Sequence, residues 1–171
     1  HMHVDAAIYP LQAVYGAGRY LAIIDPKGEY GALADDLGLA TVRLMPGGSQ
    51  CVNPLDPQGE DGGMIERQAL VAQLVSGVLR APLNQVEDAV LGRAIQRQCE
   101  RGDAFTLREV CSEIAEPADE LVAMSRFSPL ELTRATSSVT FALDKLCNRT
   151  LRGMFDGPTT VRIDWDRGPG V

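Results

Sequence analysis

The stretch SPLELTRATSSVTFALDKL, residues 128–146, carries a strong helix signal. It opens with Ser128, Pro129 and Glu131, which are a helix cap, a proline at the first helical position and a glutamate at the third. The pattern predicts a helix that begins at Pro129 and runs to about Leu151. Apolar residues that recur at helical spacing should face inward along it: Leu132, Val139, Leu143 and Leu146.

Two further helix starts precede this stretch. Asn84 with Glu87, and Thr106 with Glu109, each place a capping side chain three residues before a glutamate. An apolar face at helical spacing follows the start at Thr106 and consists of Leu107, Val110, Cys111 and Ile114. An earlier segment has a similar face, which consists of Val71, Leu74, Val75, Val78 and Leu79. About four or five helices between residues 64 and 151 predict a small helical bundle.

The first part of the chain, residues 4–57, has a different pattern. Residues 21–24 are a continuous apolar run, which is typical of a strand covered on both faces. Residues 29–37 have one apolar helical face and are followed by Gly38, which favours a helix end there. Residues 41–45 alternate as a second strand. Strand, helix and strand in this order predict a right-handed parallel unit.

The end of the chain predicts a return to the same sheet. Within residues 153–171, Asp156-Gly157-Pro158 is a turn signal, and residues 160–165 alternate as a strand. We therefore expect an α/β protein with a partial parallel sheet of two to three strands. Its core at residues 4–57 would be interrupted by a large helical lobe at residues 64–151, which makes the chain mostly helical overall. Residues 1–3 look like a cloning scar and ragged terminus.

Composition excludes several classes of protein. The 45% content of hydrophobic residues argues against a disordered chain. The net charge of −7 argues against a chain that wraps nucleic acid by itself. No apolar run approaches the roughly 18–20 residues of a membrane helix. The four cysteines include no C-x-x-C pair, and we expect buried free thiols in a reducing compartment and no metal site.

Three charged residues follow the first predicted strand: Asp25, Lys27 and Glu29. In open α/β sheets, ligands lie at the carboxyl ends of strands, where two acids can orient a metal-bound water or sense a terminal phosphate. Alternatively, Asp25 and Glu29 cap the next helix, and Pro26 and Gly28 shape the turn. Local chemistry alone slightly favours the cap.

The lysines exclude one phosphate-binding motif. A Walker A loop places a lysine immediately before serine or threonine. The chain has only Lys27 and Lys145, which are followed by Gly28 and Leu146. The sequence therefore contains no Walker A lysine.

Four elements occur in series: AIIDPKGEYGALADDLGLATVRLMPGG from residue 22, VNPLDP from residue 52, a helical region, and GMFDGPTTVRID from residue 153. This series resembles the type IV secretion and conjugation motor ATPases of the TraC kind, within the HerA–FtsK group of RecA-like P-loop ATPases. The D-P-x-G-E-Y element is shared widely in that group. The N-P-L-D and F-D-G-P-T-x-V elements narrow the resemblance to the conjugation branch.

The resemblance implies a fragment of an ATP-dependent motor for conjugative DNA transfer or type IV secretion. The fragment lacks the Walker A and Walker B elements and should be inactive by itself, so ATP and Mg would belong to the parent protein. Implied partners are neighbouring subunits of a homo-hexamer and secretion-channel proteins. Implied location is the bacterial cytoplasm, at the cytoplasmic face of the inner membrane. Direct nucleic-acid binding by this fragment is not expected.

The resemblance also implies positions for individual residues. Three would lie at the edge of the nucleotide site: Asp25, Lys27 and Glu29. Four would mark the junction between core and lobe: Asn53 and Asp56 where the chain leaves the core, and Phe155 and Asp156 where it returns. No residue of the chain is expected to be catalytic or to bind a metal.

Two other functions remain open. The chain could be a non-catalytic helical protein-interaction module on a degenerate motor scaffold, or part of a HerA–FtsK-type DNA translocase. Four arginines are candidates, by position only, for fingers that contact phosphate in a neighbouring subunit: Arg126, Arg134, Arg149 and Arg152. The alternative for each is a solvated or salt-bridged helix surface.

Overall fold

The computed structural model describes residues 24–25, 27–36, 38, 41–56, 63–102, 104–115, 119, 122–123 and 126–161. Of these residues, 57% are helical. The chain divides into two compact units, and the larger one is Arg43–Val161. The described residues up to Val42 belong to the smaller unit, which contains helix α1, Gly31–Asp36.

The predicted α/β parallel sheet is wrong for the described residues, because they contain no strand. Residues 41–45 are fully described and do keep their alternation, since Val42 and Leu44 are half-buried between exposed neighbours. However, the backbone N–H of Arg43 donates to the side chain of Gln50 and not to an adjacent strand. Alternation alone does not make a strand, which exists only when a second strand pairs with it.

The other two predicted strands lie mostly outside the described residues. Ile24 is the only described residue of the segment 21–24, and it is 93% exposed. Thr160 and Val161 are the described residues of the segment 160–165. None of the three is in a strand.

Four helices of the larger unit form a closed bundle: α2 at Met64–Leu79, α3 at Gln85–Arg101, α4 at Leu107–Ala115 and α6 at Ser137–Cys147. The short helix α5, at Pro129–Ala135, directly precedes α6. Helix α2 packs against α3, α3 against α4, α4 against α6, and α6 against α2. Helix α5, Pro129–Ala135, packs against α6. This arrangement confirms the predicted helical bundle.

The bundle core contains the predicted apolar faces together with a face of α3. Burial of these side chains is the main stabilising contribution to such a bundle. The predicted residues found in the core are Val71, Val75, Leu107, Val110, Ile114, Leu132, Val139, Leu143 and Leu146. Helix α3 adds Val90, Leu91, Ala94 and Ile95, and the connecting segments add Leu55 and Phe105.

The single helix predicted after Pro129 is wrong, because the structure has two helices that meet at Thr136. This residue has φ −107° and ψ 8°, outside the helical region. Its backbone N–H and its side-chain hydroxyl both donate to the carbonyl oxygen of Leu132 at 3.0 Å, so the hydroxyl adds a second bond beside the helical one, an arrangement that often bends helices. Helix α6 then ends at Cys147, before the predicted end near Leu151.

The predicted helix starts are confirmed by reciprocal capping hydrogen bonds. At α3, the Asn84 side chain accepts from the backbone N–H of Glu87 at 3.0 Å, and the Glu87 carboxylate accepts from the N–H of Asn84 at 2.8 Å. At α5, Ser128 and Glu131 form the same capping box. At α4, the Glu109 carboxylate accepts from the N–H of Thr106 at 2.8 Å.

The capping hydrogen bonds at the start of α5 lower the pKa of Glu131. The Ser128 hydroxyl and backbone N–H donate to the Glu131 carboxylate at 2.7 and 2.8 Å and hold the pKa of Glu131 below its ordinary value of 4.5. Because the folded-state pKa is lowered, this contribution to stability is present above the unfolded-state pKa and is lost as pH falls through the folded-state pKa.

We expect Ser128→Ala to raise the pKa of Glu131 toward 4.5, because the hydroxyl donor is removed. The measurement is an NMR titration of the side-chain carboxyl carbon. Ser112→Ala is the control, since the Ser112 hydroxyl donates to the Arg108 carbonyl and not to a carboxylate. An unchanged Glu131 pKa in Ser128→Ala would show that the hydroxyl does not stabilise the charged form.

Candidate functional site

Two segments that are distant in sequence meet at one end of the larger unit. We call them the junction, defined as residues 51–56 and 153–160. The backbone N–H of Cys51 donates to the Thr160 hydroxyl at 2.9 Å, and the N–H of Thr160 donates to the Cys51 carbonyl at 2.9 Å. These two residues are 109 positions apart. The junction therefore closes a loop that contains the whole bundle.

Asn53 is the polar centre of the junction and is 3% exposed. Its Nδ2 donates to Asp56 Oδ1 at 2.8 Å and to the Phe105 carbonyl oxygen at 2.8 Å. Its Oδ1 accepts from the backbone N–H of Leu55 at 3.1 Å. Its own N–H donates to the Thr159 hydroxyl at 2.8 Å. Through its side-chain amide and its backbone N–H, this one buried residue thus joins both junction segments to the loop before α4.

Asp156 performs a similar role for the returning segment and is 5% exposed. Its carboxylate accepts from the backbone N–H of Gly153 and from the guanidinium of Arg108. Arg108 also donates to the carbonyl oxygen of Cys147 at 2.9 Å and to Asn148 Oδ1 at 3.3 Å. A charge-assisted network therefore ties the returning segment to α4 and to the end of α6.

The close approach of two glycines completes the junction. Gly153 has φ +92°, and a Cβ added there would lie 3.3 Å from the backbone nitrogen of Gly47. The N–H of Gly47 donates to the Arg152 carbonyl at 2.9 Å. A side chain at position 153 would be strained by the backbone angle and crowded by the neighbouring turn, so glycine is required there.

Two apolar residues of the junction, Leu55 and Phe155, are anchored in the bundle. Leu55 is 0% exposed and belongs to the core, and Phe155 is partly buried against that core. The structure therefore brings together all four predicted junction residues, which are Asn53, Asp56, Phe155 and Asp156, within one packed region.

The predicted nucleotide-edge residues lie in the smaller unit. Asp25 Oδ2 accepts from the N–H of Tyr30 at 2.8 Å, and its Oδ1 accepts from the N–H groups of Lys27 at 3.2 Å and Gly28 at 2.8 Å. These bonds, that of Tyr30 first, lower the pKa of Asp25. The Asp25 carboxylate therefore stabilises the turn just before α1.

This turn does not fit a Mg–ATP site. The N–H groups of Lys27 and Gly28, which could otherwise bind a phosphate, donate to a carboxylate instead. The side chains of Lys27 and Glu29 are exposed. Among the residues that the structure describes, no group of three His, Cys, Asp or Glu side chains could hold a metal ion. None of the described helices is long and apolar enough to cross a membrane.

The arginine-finger candidates lie on the surface. Arg149 Nε lies 2.6 Å from Asp144 Oδ2, so this side chain is part of a salt-bridged surface. Arg126, Arg134 and Arg152 are exposed.

Arg108 is a member of the junction network that the sequence did not single out. It lies in the first turn of α4, where the helix dipole disfavours a positive charge. The unfavourable position of this positive charge indicates, from sequence alone, that Arg108 has a negatively charged or hydrogen-bonding partner elsewhere in the chain. The identity of its partner, Asp156, was not visible because the two are 48 positions apart.

Comparison of the chain with protein-family models, curated proteins and solved structures found no match in any of the three.

Proposed function

We propose that this chain contains the helical interaction lobe of an ATP-dependent motor for conjugative transfer or type IV secretion. The observation that carries the proposal is the junction. The N-P-L-D and F-D-G-P-T elements that resemble the motor family are the same segments that meet beside the bundle. A lobe inserted into another domain needs one connection out and one connection back, side by side.

The burial pattern supports a connecting role for the junction. Asn53 and Asp156 are both buried, and each makes a side-chain hydrogen bond to a distant part of the chain, Asn53 to the Phe105 carbonyl and Asp156 to Arg108. Such a network fixes the orientation of the bundle relative to the two segments that enter and leave it. This suits a lobe that must transmit movement to a partner.

Exposed apolar side chains on the bundle support an interaction role. Ile65 on α2 is 74% exposed, Phe141 on α6 is 71% exposed, and Leu130 on α5 is 61% exposed. Exposed apolar side chains mark a protein interaction site where they form a contiguous patch, and the proposed interaction role requires such a patch on these helices. In the proposed motor, these partners are neighbouring subunits of a hexamer and secretion-channel proteins at the cytoplasmic face of the inner membrane.

In the proposed motor, ATP and Mg bind to the parent protein and not to residues of this chain. The sequence contains no Walker A lysine, and the described turn at Asp25 directs its N–H groups to its own carboxylate. We therefore assign no step of ATP hydrolysis to residues of this chain. The lobe would respond to nucleotide bound elsewhere in the parent.

The first test is calorimetric titration of this chain with MgATP, combined with a phosphate-release assay. We expect no turnover and no binding tighter than about 1 mM, because no described group is arranged to hold phosphates. A P-loop ATPase measured in parallel is the positive control. Tight, magnesium-dependent ATP binding would contradict the proposal.

A second observation separates the motor from the alternatives. If the chain belongs to a working motor, its gene should encode G-x-x-x-x-G-K-S/T ending roughly 20–35 residues before Asp25. A gene without that motif would favour a non-catalytic interaction module. Binding of this chain to duplex DNA, with affinity that falls steeply with salt, would instead favour the translocase.

A further inference from the structure

Two cysteines meet where α4 packs against α6. Cys111 lies in the middle of α4 and is half-buried, and Cys147 is the last residue of α6 and is 1% exposed. Their Sγ atoms are 3.7 Å apart, in direct contact. Because 36 positions separate them in the sequence, this contact is created by the packing of the two helices.

The surroundings make the two thiols unequal. The hydrogen bond with Cys147 lowers the pKa of Cys111, and the Arg108 guanidinium, one turn earlier on α4, acts in the same direction. The same hydrogen bond and burial raise the pKa of Cys147, and the nearby Asp156 carboxylate adds to the effect. Cys111 is therefore the more readily ionised and the more accessible of the two.

We propose that Cys111 and Cys147 form a redox-active dithiol that a low-molecular-weight disulfide converts into an intrachain disulfide between α4 and α6. The sulfurs need to approach from 3.7 Å to about 2.0 Å, a displacement that side-chain rotation and a small helix shift can provide. The other two cysteines have different neighbours. The Cys51 thiol donates to the Gly157 carbonyl at 3.3 Å, and Cys99 accepts from Arg67 at 3.6 Å.

The reaction has two steps. In the first, the Cys111 thiolate attacks one sulfur of the small disulfide, so a mixed disulfide forms at Cys111 as the small disulfide's S–S bond breaks. The small thiolate that leaves takes up one proton, which balances the proton that Cys111 lost. Cys147 then loses its proton and attacks Cys111 Sγ, which releases the second small thiol. Two protein thiols are oxidised, and the small disulfide is reduced to two thiols.

The disulfide would act on the region that orients the bundle. Arg108 contacts the carbonyl oxygen of Cys147 and the carboxylate of Asp156, so the cross-link lies beside the junction network. It would also close a loop between positions 111 and 147 and restrict the unfolded chain. Oxidation should therefore lock α4 to the end of α6, independently of any nucleotide chemistry in the proposed parent.

The test uses the native chain incubated with oxidised glutathione, followed by alkylation of free thiols and tryptic mass spectrometry. Trypsin places Cys111 in peptide 109–126 and Cys147 in peptide 146–149, each with a single cysteine. We expect these two peptides to become disulfide-linked and the free thiols to fall from four to two. The midpoint of thermal unfolding should rise by roughly 5–10 °C and return on addition of dithiothreitol.

Matched variants assign the two roles. In Cys147→Ala, we expect Cys111 to retain a stable mixed disulfide with glutathione, because the resolving thiol is absent. In Cys111→Ala, we expect Cys147 to stay unmodified, because it is buried. The double variant Cys51→Ala/Cys99→Ala keeps the pair and should oxidise like the native chain.

Circular dichroism of each variant checks that the helical fold is retained. Four free thiols after incubation of the native chain, or a link between any other pair of cysteines, would overturn the proposal. Failure of the double variant to form the 111–147 link while remaining folded would also overturn it.

Discussion

Leu55→Ala should lower the free energy of unfolding by about 2–5 kcal/mol. Leu55 is 0% exposed and lies in the core of the bundle, although it belongs to the junction and not to a helix. The substitution removes buried methyl groups from contact with that core and leaves a cavity that the surrounding helices fill only partly. Urea unfolding followed by the far-ultraviolet circular dichroism signal of the helices measures the change.

Leu130→Ala is the matched control for this prediction. Leu130 is 61% exposed on α5, so the same chemical change should alter the free energy of unfolding by no more than about 0.5 kcal/mol. Equal effects of the two substitutions would show that the N-P-L-D segment is a loose linker. A large effect of Leu55→Ala alone would show that this segment is anchored in the bundle.

The features that the sequence predicted correctly depend on residues close together in the chain. The capping boxes at Asn84 and Ser128 join residues three positions apart, and the apolar faces of the helices repeat every three or four residues. These signals specify a helix without reference to the rest of the molecule. The bundle follows from them, because each apolar face must be buried against another.

The predicted sheet depended on information that is not local. Residues 41–45 have the alternation of a strand, but Arg43 donates its N–H to the side chain of Gln50 within the same loop. Likewise, two helices meet at Thr136, where the hydroxyl adds a side-chain bond to the Leu132 carbonyl beside the helical one. At both positions a local side-chain hydrogen bond accompanies the departure from the periodic pattern.

The sequence motifs identify the junction residues but not their hydrogen-bond partners. The resemblance singled out Asn53, Asp56, Phe155 and Asp156, but the long-range hydrogen bonds of Asn53 and Asp156 join residues 48 to 106 positions apart. No periodicity or spacing rule pairs Asn53 with the Phe105 carbonyl. Buried polar side chains of this kind are visible as motif residues and acquire their partners only from the fold.

Asn53→Asp should lower the free energy of unfolding at pH 7 by about 2–4 kcal/mol, although the two side chains have the same shape. The amide donates to the Phe105 carbonyl and to Asp56 Oδ1, and a carboxylate can donate to neither. The change also places a second negative charge beside Asp56 in a buried position. Denaturant unfolding at neutral pH, followed by circular dichroism, measures the loss.

The pH dependence distinguishes this mechanism from a simple packing defect. Burial and the neighbouring Asp56 should raise the pKa of the introduced carboxyl in the folded state above its unfolded value. The folded state then binds more protons than the unfolded state, so the defect should shrink as pH falls through the raised pKa. A loss of stability that is constant from pH 7 down to pH 5 would contradict this explanation.

Asp56→Asn supplies the compensating change. Combined with Asn53→Asp, it exchanges donor and acceptor along the 2.8 Å contact and removes the added charge. The Phe105 carbonyl still lacks its donor, so the double variant should recover only about 1–2 kcal/mol of the loss. A double variant no more stable than Asn53→Asp alone would place the whole cost at Phe105. Recovery of about 1–2 kcal/mol of stability would instead show that the side chains at positions 53 and 56 interact directly in the segment that leads into the bundle.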